Sequence, residues 1–200
     1  VSLVGEFNKY DGRVHLMERI EDTGVFELFI PGLAAGCGYM YEIKRQGKGT
    51  TRKLDPVSRQ ISSVPITASV VSDENMPDSY AWNDGLWMIK RKKEAGKKKP
   101  VTVYEVSLTD WLKEKSADEL VDFVKQEGYT HVCFLPVAEY LNEEMNGYST
   151  LGYFAVTHRT GGSDAFKKLV DDCHNAGIGV IIDWNGAYFG TEVKGLYDFD

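Results

Sequence analysis

Cysteine is scarce in this sequence, which has three cysteines spread over 200 residues. Cys37, Cys133 and Cys173 are an odd number and include no CxxC pair. A complete disulfide framework and a paired-cysteine metal site are therefore excluded. Cys133 and Cys173 lie within apolar patterns, so we expect both to be small core residues. A reducing compartment, the cytoplasm, fits this composition best.

Long apolar runs are also missing. No stretch approaches the roughly 20 apolar residues that a membrane-spanning helix needs, so we expect no membrane partner. The chain begins at Val1 inside a strand pattern, without a charged and then apolar leader. We therefore expect it to be an excised segment of a longer protein.

The signatures of common cofactor and metal sites are absent. There is no P-loop, no GxGxxG after the first strand of the α/β pattern, and no HExxH. The four histidines are scattered, and no two of them share metal-ligand spacing. We therefore expect no cofactor and no metal site.

Basic residues are fewer than acidic residues, 23 against 30. The formal net charge is -7, which argues against a nucleic acid partner. One basic run, at 90–93 and 97–99, contains no interleaved aromatic residues of the kind that a single-strand binder uses. We interpret the run as a solvated linker, with a partner-binding patch as the alternative.

Residues 1–70 alternate between apolar and polar side chains. The stretches 1–7, 24–30 and 39–43 each place apolar side chains on one face at period two. Turn signals separate them about every 10 residues, which is typical of a β-sandwich. Residues 71–100 are predicted to be a connector, in which Trp82 and Trp87 dock on a neighbouring surface.

In residues 101–200 the spacing of apolar residues changes, and strand patterns alternate with helix patterns. Strands are predicted at 101–106, 131–135 and 178–183. One helix begins at a capping box of Ser116 and Glu119, and a second follows Ser163. This order predicts parallel βαβ units whose strands are covered on both faces, in either a barrel or a doubly wound sheet.

Polar and aromatic residues follow each of the predicted parallel strands. In such folds ligands bind at the carboxyl edge of the sheet. Rings beside carboxylates suit carbohydrates, because sugar rings offer apolar faces and hydroxyl groups. The alternative is structural: Trp111, Tyr148 and Trp184 would fill the end of a barrel, and Asp183 would bond nearby backbone amides.

The residues at these strand ends resemble those of the glycogen (1,4-α-glucan) branching enzymes, in the α-amylase-like glycoside hydrolase family 13. The similarity is carried by residues 104–106, 135–139, 152–155 and 172–184. The stretches 4–8, 10–13 and 26–32 resemble the family 48 carbohydrate-binding module of those enzymes. The resemblance implies a multi-domain β plus α/β chain: an immunoglobulin-like sandwich, then the first three βα units of a (β/α)8 barrel.

The resemblance also implies an activity, cleavage of an α-1,4 bond and transfer of the fragment to a 6-hydroxyl. Retaining transfer needs a carboxylate nucleophile and a second carboxyl group. In the family these follow strands four and five, so the segment is expected to contain neither and to be inactive alone. An α-1,4-glucan is the implied partner, with Asp183, Tyr148, Trp184 and Tyr188 as the expected substrate-binding residues.

Four positions depart from the family pattern. Tyr188 and Ser107 replace expected histidines, Ser149 replaces a glutamine, and Asn146 replaces a tryptophan. The parent protein is therefore either an active branching enzyme or a glucan-binding paralogue with a decayed site. A generic βαβ domain that binds another small molecule is a third reading. Because three βα units cannot close a barrel, the segment is also expected to self-associate.

Overall fold

A computed structural model describes residues 1–63, 66–72, 80–191 and 194–199. Residues 73–79 of the predicted connector lie outside the described residues. The N-terminal strands are β1 Ser2–Gly5, β2 Glu18–Arg19, β3 Phe26–Glu27, β4 Gly38–Arg45, β5 Gly49–Lys53, β6 Ile61–Ser62 and β7 Ala68–Val70.

Two antiparallel sheets form this N-terminal part, as expected for a β-sandwich. One sheet has the order β1-β4-β7-β6 with β5 also paired to β4, and the other is the β2–β3 pair. The predicted strand at 24–30 is wrong in extent, because only Phe26 and Glu27 pair. A two-residue ladder is too short to hold its apolar face against the main sheet. As a result Phe29 is 85% exposed, beside an open groove of about 720 Å³.

The predicted connector contains a helix, α1 Gly85–Glu94. The ring of Trp87 stacks on His174 at 5.0 Å, and Asp84 Oδ2 lies 2.8 Å from the Nδ1 atom of that histidine. The predicted docking of Trp87 is thus confirmed, whereas Trp82 is exposed and contacts the Tyr80 ring edge-on. Most of the basic run lies in the last turns of α1, where cations interact favourably with the helix dipole.

The C-terminal half is built on a three-stranded parallel sheet with the order β12-β9-β8. The helix Ala117–Gln126 begins where the sequence predicts, and its Ser116–Glu119 capping box forms in both directions. The helix predicted to follow Ser163 begins at Gly162, and a short helix at Leu108–Trp111 was not predicted. The elements are β8 Val103–Val106, α2 Leu108–Trp111, α3 Ala117–Gln126, β9 His131–Phe134, β10 Ala138–Tyr140, β11 Thr150–Val156, α4 Gly162–Asn175 and β12 Gly179–Ile182.

Only one face of this sheet is covered within the described ranges, so the expectation of two covered faces is wrong. Helices α3 and α4 pack in a single cluster with Val132, Phe134 and Ile178. On the opposite face Val103 and Ile181 are exposed. Both helices connect neighbouring strands and lie on the same face of the sheet. Within the described residues, no element covers the opposite face.

The antiparallel hairpin of β10 and β11 joins the two halves. Leu151 and Ala155 of β11 pack in the sandwich core, with residues that include Val4 and Met40. A Cβ at Gly152 would meet the end of the Ile61 side chain, so β11 packs closely against β6. The sandwich therefore supports the hairpin that lies beside the end of β12.

Candidate functional site

Asp183 and Tyr148 meet at the carboxyl edge of the parallel sheet. The amide of Asp183 donates to Phe134 O at 2.8 Å, which extends the β9–β12 pairing to the end of β12. The hydroxyl of Tyr148 donates to Asp183 Oδ2. This hydrogen bond, with partial burial and the negative charge of Asp183, raises the pKa of Tyr148 to about 12. Tyr148 is therefore a neutral donor held against a carboxylate.

Two residues in left-handed backbone conformations direct Tyr148 to this position. Asn146, with φ 48°, ends a short 3₁₀ turn, and Gly147 follows with φ 86°. A Cβ at Gly147 would lie 2.7 Å from Pro136 O, so the backbone approaches the end of β9 closely. Glycine is required here for its conformation and for its lack of a side chain.

The segment after Asp183 presents two aromatic rings to solvent. Trp184 is 62% exposed and Tyr188 is 61% exposed. Tyr153 of β11 holds this segment, since its hydroxyl donates to Tyr188 O at 2.7 Å and its ring lies 5.4 Å from Trp184. The amide of Gly190 donates to Thr150 O at 3.0 Å, which joins the end of the segment to the same strand.

A cavity of about 180 Å³ lies beside these residues, with Asp183 and Asn185 among an otherwise largely apolar lining. Trp184 and Tyr153 also line it. Exposed rings with a fixed carboxylate and tyrosine can stack on a sugar face while they accept and donate hydrogen bonds to its hydroxyls. Sequence reasoning named four site residues, and the structure brings all four to one edge: Tyr148, Asp183, Trp184 and Tyr188.

The replaced positions have structural partners. Ser107 is the N-cap of α2, where its Oγ accepts from the amide of Asp110 at 3.3 Å. Ser149 is buried directly after Tyr148. Asn146 is exposed and lines, with Ser107, a second and smaller cavity of about 30 Å³. Of these four positions, only Tyr188 belongs to the exposed aromatic pair of Trp184 and Tyr188.

Sequence reasoning missed the supporting roles of Tyr153 and Glu139. Glu139 is 3% exposed and accepts hydrogen bonds from Thr157 Oγ1, His158 Nδ1 and Arg159 NH1 at 3.2, 3.0 and 2.8 Å. The Arg159 guanidinium also lies 4.3 Å above the Tyr140 ring. A single carboxylate among the apolar residues 137–140 was the available signal for Glu139, whereas Tyr153 was marked only as part of the stretch 152–155 that carries the resemblance.

Sandwich residues offer a weaker case for sugar contact. Arg52 lies over the Tyr10 ring at 5.7 Å, so one face of that ring is occupied. Among the described residues no group of three or more potential metal ligands lies together. All three cysteines are free thiols, and burial raises the pKa of Cys173 to about 12. Within the same residues, no helix combines the length and the apolar character needed to cross a membrane.

The chain is similar in sequence to proteins of known function. Residues 1–58 match the family model of carbohydrate-binding module 48, the isoamylase N-terminal domain. The chain is 41% identical to the 1,4-alpha-glucan branching enzyme GlgB of Nitrosococcus oceani and 42% identical to that of Methylococcus capsulatus. Both alignments cover 100% of this chain. The predicted resemblance is confirmed.

The same comparisons set the extent of the similarity. The chain spans 28% of the length of each of these two relatives. A crystal structure of a Salmonella typhimurium protein, provisionally named an alpha amylase, has a TM-score of 0.67 and 26% identity to this chain. That match covers 89% of this chain and 29% of the other.

Proposed function

We propose that this chain is the part of a 1,4-α-glucan branching enzyme that comprises an immunoglobulin-like sandwich and the first three βα units of a (β/α)8 barrel. The consecutive strand order β8, β9, β12, with both helices on one face, supports the barrel assignment. The observation that carries the function is the hydrogen-bonded pair of Tyr148 and Asp183 beside the exposed ring of Trp184.

In this proposal the chain binds and orients an α-1,4-glucan and supplies neither reacting carboxyl group. Asp183 accepts hydrogen bonds from sugar hydroxyls, and Tyr148 and Trp184 present ring faces for stacking. The nucleophile and the acid/base belong to polypeptide beyond residue 200, where they would complete retaining transfer to a 6-hydroxyl. The chain alone is therefore inactive, and its compartment is the cytoplasm.

A glucan-binding paralogue without activity is the second candidate. The observation that favours it is Tyr188, whose exposed ring stands where the resemblance implies a histidine. Ser107 adds to this, because its hydroxyl is engaged in capping α2. Both candidates predict glucan binding, and they differ in turnover.

Glucan transfer by the full-length gene product on amylose distinguishes the two. New α-1,6 branch points, counted after debranching, would establish the branching enzyme. Binding to glycogen without new branches would establish the paralogue, and restoration of branching by Tyr188→His would identify the replacement as the cause.

Binding by the chain itself tests the site that both candidates share. We expect Trp184→Ala to weaken binding to maltooligosaccharides about fivefold, since a lost ring contact is worth on the order of 1 kcal/mol. The matched control is Trp82→Ala, which removes another exposed tryptophan outside the site. Equal losses in both variants, measured by calorimetry, would refute the proposed location.

A further inference from the structure

Residues 194–199 lie against the sandwich and are held there by a buried lysine. Lys53, the last residue of β5, is 1% exposed, and its Nζ donates to the backbone carbonyls of Gly195 and Tyr197. The neighbouring amide of Leu54 donates to Lys194 O at 2.9 Å. These bonds attach the segment to the edge of β5.

An ammonium group is costly to bury, and burial lowers the pKa of Lys53. Within the described ranges no carboxylate lies in ion-pair distance of its Nζ, although the charge of Asp198 acts on it favourably. An apolar side chain of similar length would fill the space without this desolvation cost. What the ammonium adds is a pair of directed hydrogen bonds to the backbone of residues 195 and 197.

A second contact fixes the same segment. Arg45 of β4 forms an ion pair with Asp198 at 2.8 Å. Strands β4 and β5 thus both hold the polypeptide that follows the Trp184–Tyr188 segment.

The sandwich also holds the other side of the site. Strand β11, which carries Thr150 and Tyr153, packs through Leu151 and Ala155 into the sandwich core. Thr150 and Tyr153 in turn bond the backbone of Gly190 and Tyr188. The C-terminal end of the segment at 183–190 therefore connects to the sandwich through β11.

We propose that Lys53 is a positioning residue, through which the sandwich fixes the backbone that carries Trp184 and Tyr188. The sandwich thereby acts on the site through its contacts with the backbone of residues 194–199. The consequence for glucan affinity rests on the function proposed above, whereas the consequence for backbone order does not.

Amide hydrogen exchange of the chain tests the positioning directly. In Lys53→Met the exchange of the Gly190 amide is expected to accelerate about tenfold, while the amides of β9 and β12 remain unchanged. The matched control is Lys44→Met, at an exposed lysine of β4, and it is expected to leave Gly190 unchanged. Lys53→Arg keeps a cationic donor and is expected to restore slow exchange partly.

Two results would overturn the proposal: unchanged exchange at Gly190 in folded Lys53→Met, or acceleration spread equally over β4 and β5. If Lys53→Met does not fold, Asp198→Asn weakens the second contact at an exposed position, and unchanged exchange at Gly190 in that variant overturns the proposal equally.

Glucan binding by the same variants gives the functional result. The dissociation constant of Lys53→Met is expected to rise about fivefold, with Lys44→Met unchanged. Failure of the unsubstituted chain to bind glucan would refute the proposed function, and the exchange experiment would still decide the role of Lys53. Normal affinity in Lys53→Met would refute the positioning role.

Discussion

At the scale of single residues, Tyr148 retains its proton to high pH because of what it contacts. Its pKa is raised from 10.0 to about 12, first by the hydrogen bond to Asp183 and then by partial burial. A group whose folded-state pKa is raised stabilises the fold fully below its unfolded pKa, and this stabilisation is lost as the pH rises to the folded value.

Comparison of the unsubstituted chain with Tyr148→Phe tests this linkage. Below pH 10.0 the variant should unfold with a free energy about 1–2 kcal/mol lower, and the difference should shrink as the pH rises towards about 12. Urea denaturation at several pH values measures the difference. A difference that stays constant across that window would contradict the assignment of the shift to Tyr148.

Glu139 provides a second test at this scale. Glu139→Ala leaves the largely buried Arg159 with the exposed Glu143 as its remaining carboxylate partner, and we expect the free energy of unfolding to fall by roughly 2–3 kcal/mol. The matched control is Glu144→Ala, in the same loop but exposed, which should change stability by less than about 0.5 kcal/mol. Comparable losses in thermal unfolding would show that the buried network does not stabilise this edge.

Sequence reasoning about single residues succeeded where the chemistry is local. Asp183 stands at the end of a predicted strand, whereas Tyr148 was named because the residues around it resemble those of the family. Tyr153 and Lys53 act over long distances in sequence, Lys53 on backbone more than 140 residues away. No local pattern marks a tyrosine or a lysine whose partners are distant carbonyl groups.

At the scale of elements, the turn before Tyr148 requires glycine at position 147, and replacement of this residue should reduce stability measurably. Gly147→Ala places a Cβ 2.7 Å from Pro136 O at a residue with φ 86°. Gly162→Ala is the matched control, because Gly162 has φ 76° and open space around the same position. Both variants incur the left-handed penalty, so the difference between them isolates the contact.

We expect Gly147→Ala to be less stable than Gly162→Ala by about 1–2 kcal/mol in chemical denaturation, because the backbone must move away from Pro136. The hydrogen bond of Tyr148 to Asp183 moves with it, so glucan affinity should fall only in Gly147→Ala. Equal stability of the two variants would show that the turn has room for a side chain.

Elements were predictable where one stretch of sequence holds all the determinants. The capping box of α3 and the core position of Cys173 on α4 are such cases, and both are found. The prediction of a strand at 24–30 was wrong in extent, because an alternating pattern forms a strand only where another sheet covers its apolar face. Its short pairing with β2 leaves that face uncovered, which the alternation could not reveal.

At the scale of the whole molecule, the uncovered face of the parallel sheet predicts association. Ile181 and Val103 are exposed there, and β12 is an edge strand. We expect the chain to form concentration-dependent oligomers in analytical ultracentrifugation, because apolar sheet surface and unpaired edge groups favour contacts between copies.

Ile181→Lys should shift the chain towards the monomer, since a charge on that face opposes burial. Val57→Lys, at an exposed apolar residue of the sandwich, is the matched control and should not alter association. A monomeric unsubstituted chain at every concentration would contradict the expectation.

The hairpin of β10 and β11 has a consequence for how such proteins exchange parts during evolution. A sequence boundary near residue 70 encloses all the sandwich strands, yet the interior of the sandwich is completed by Leu151 and Ala155. A recombination breakpoint at that boundary would deliver a module with an unfilled interior to its new host. A segment that can fold in a new host therefore has to extend past the β10–β11 hairpin. The sandwich would then be inherited together with the first part of the α/β region.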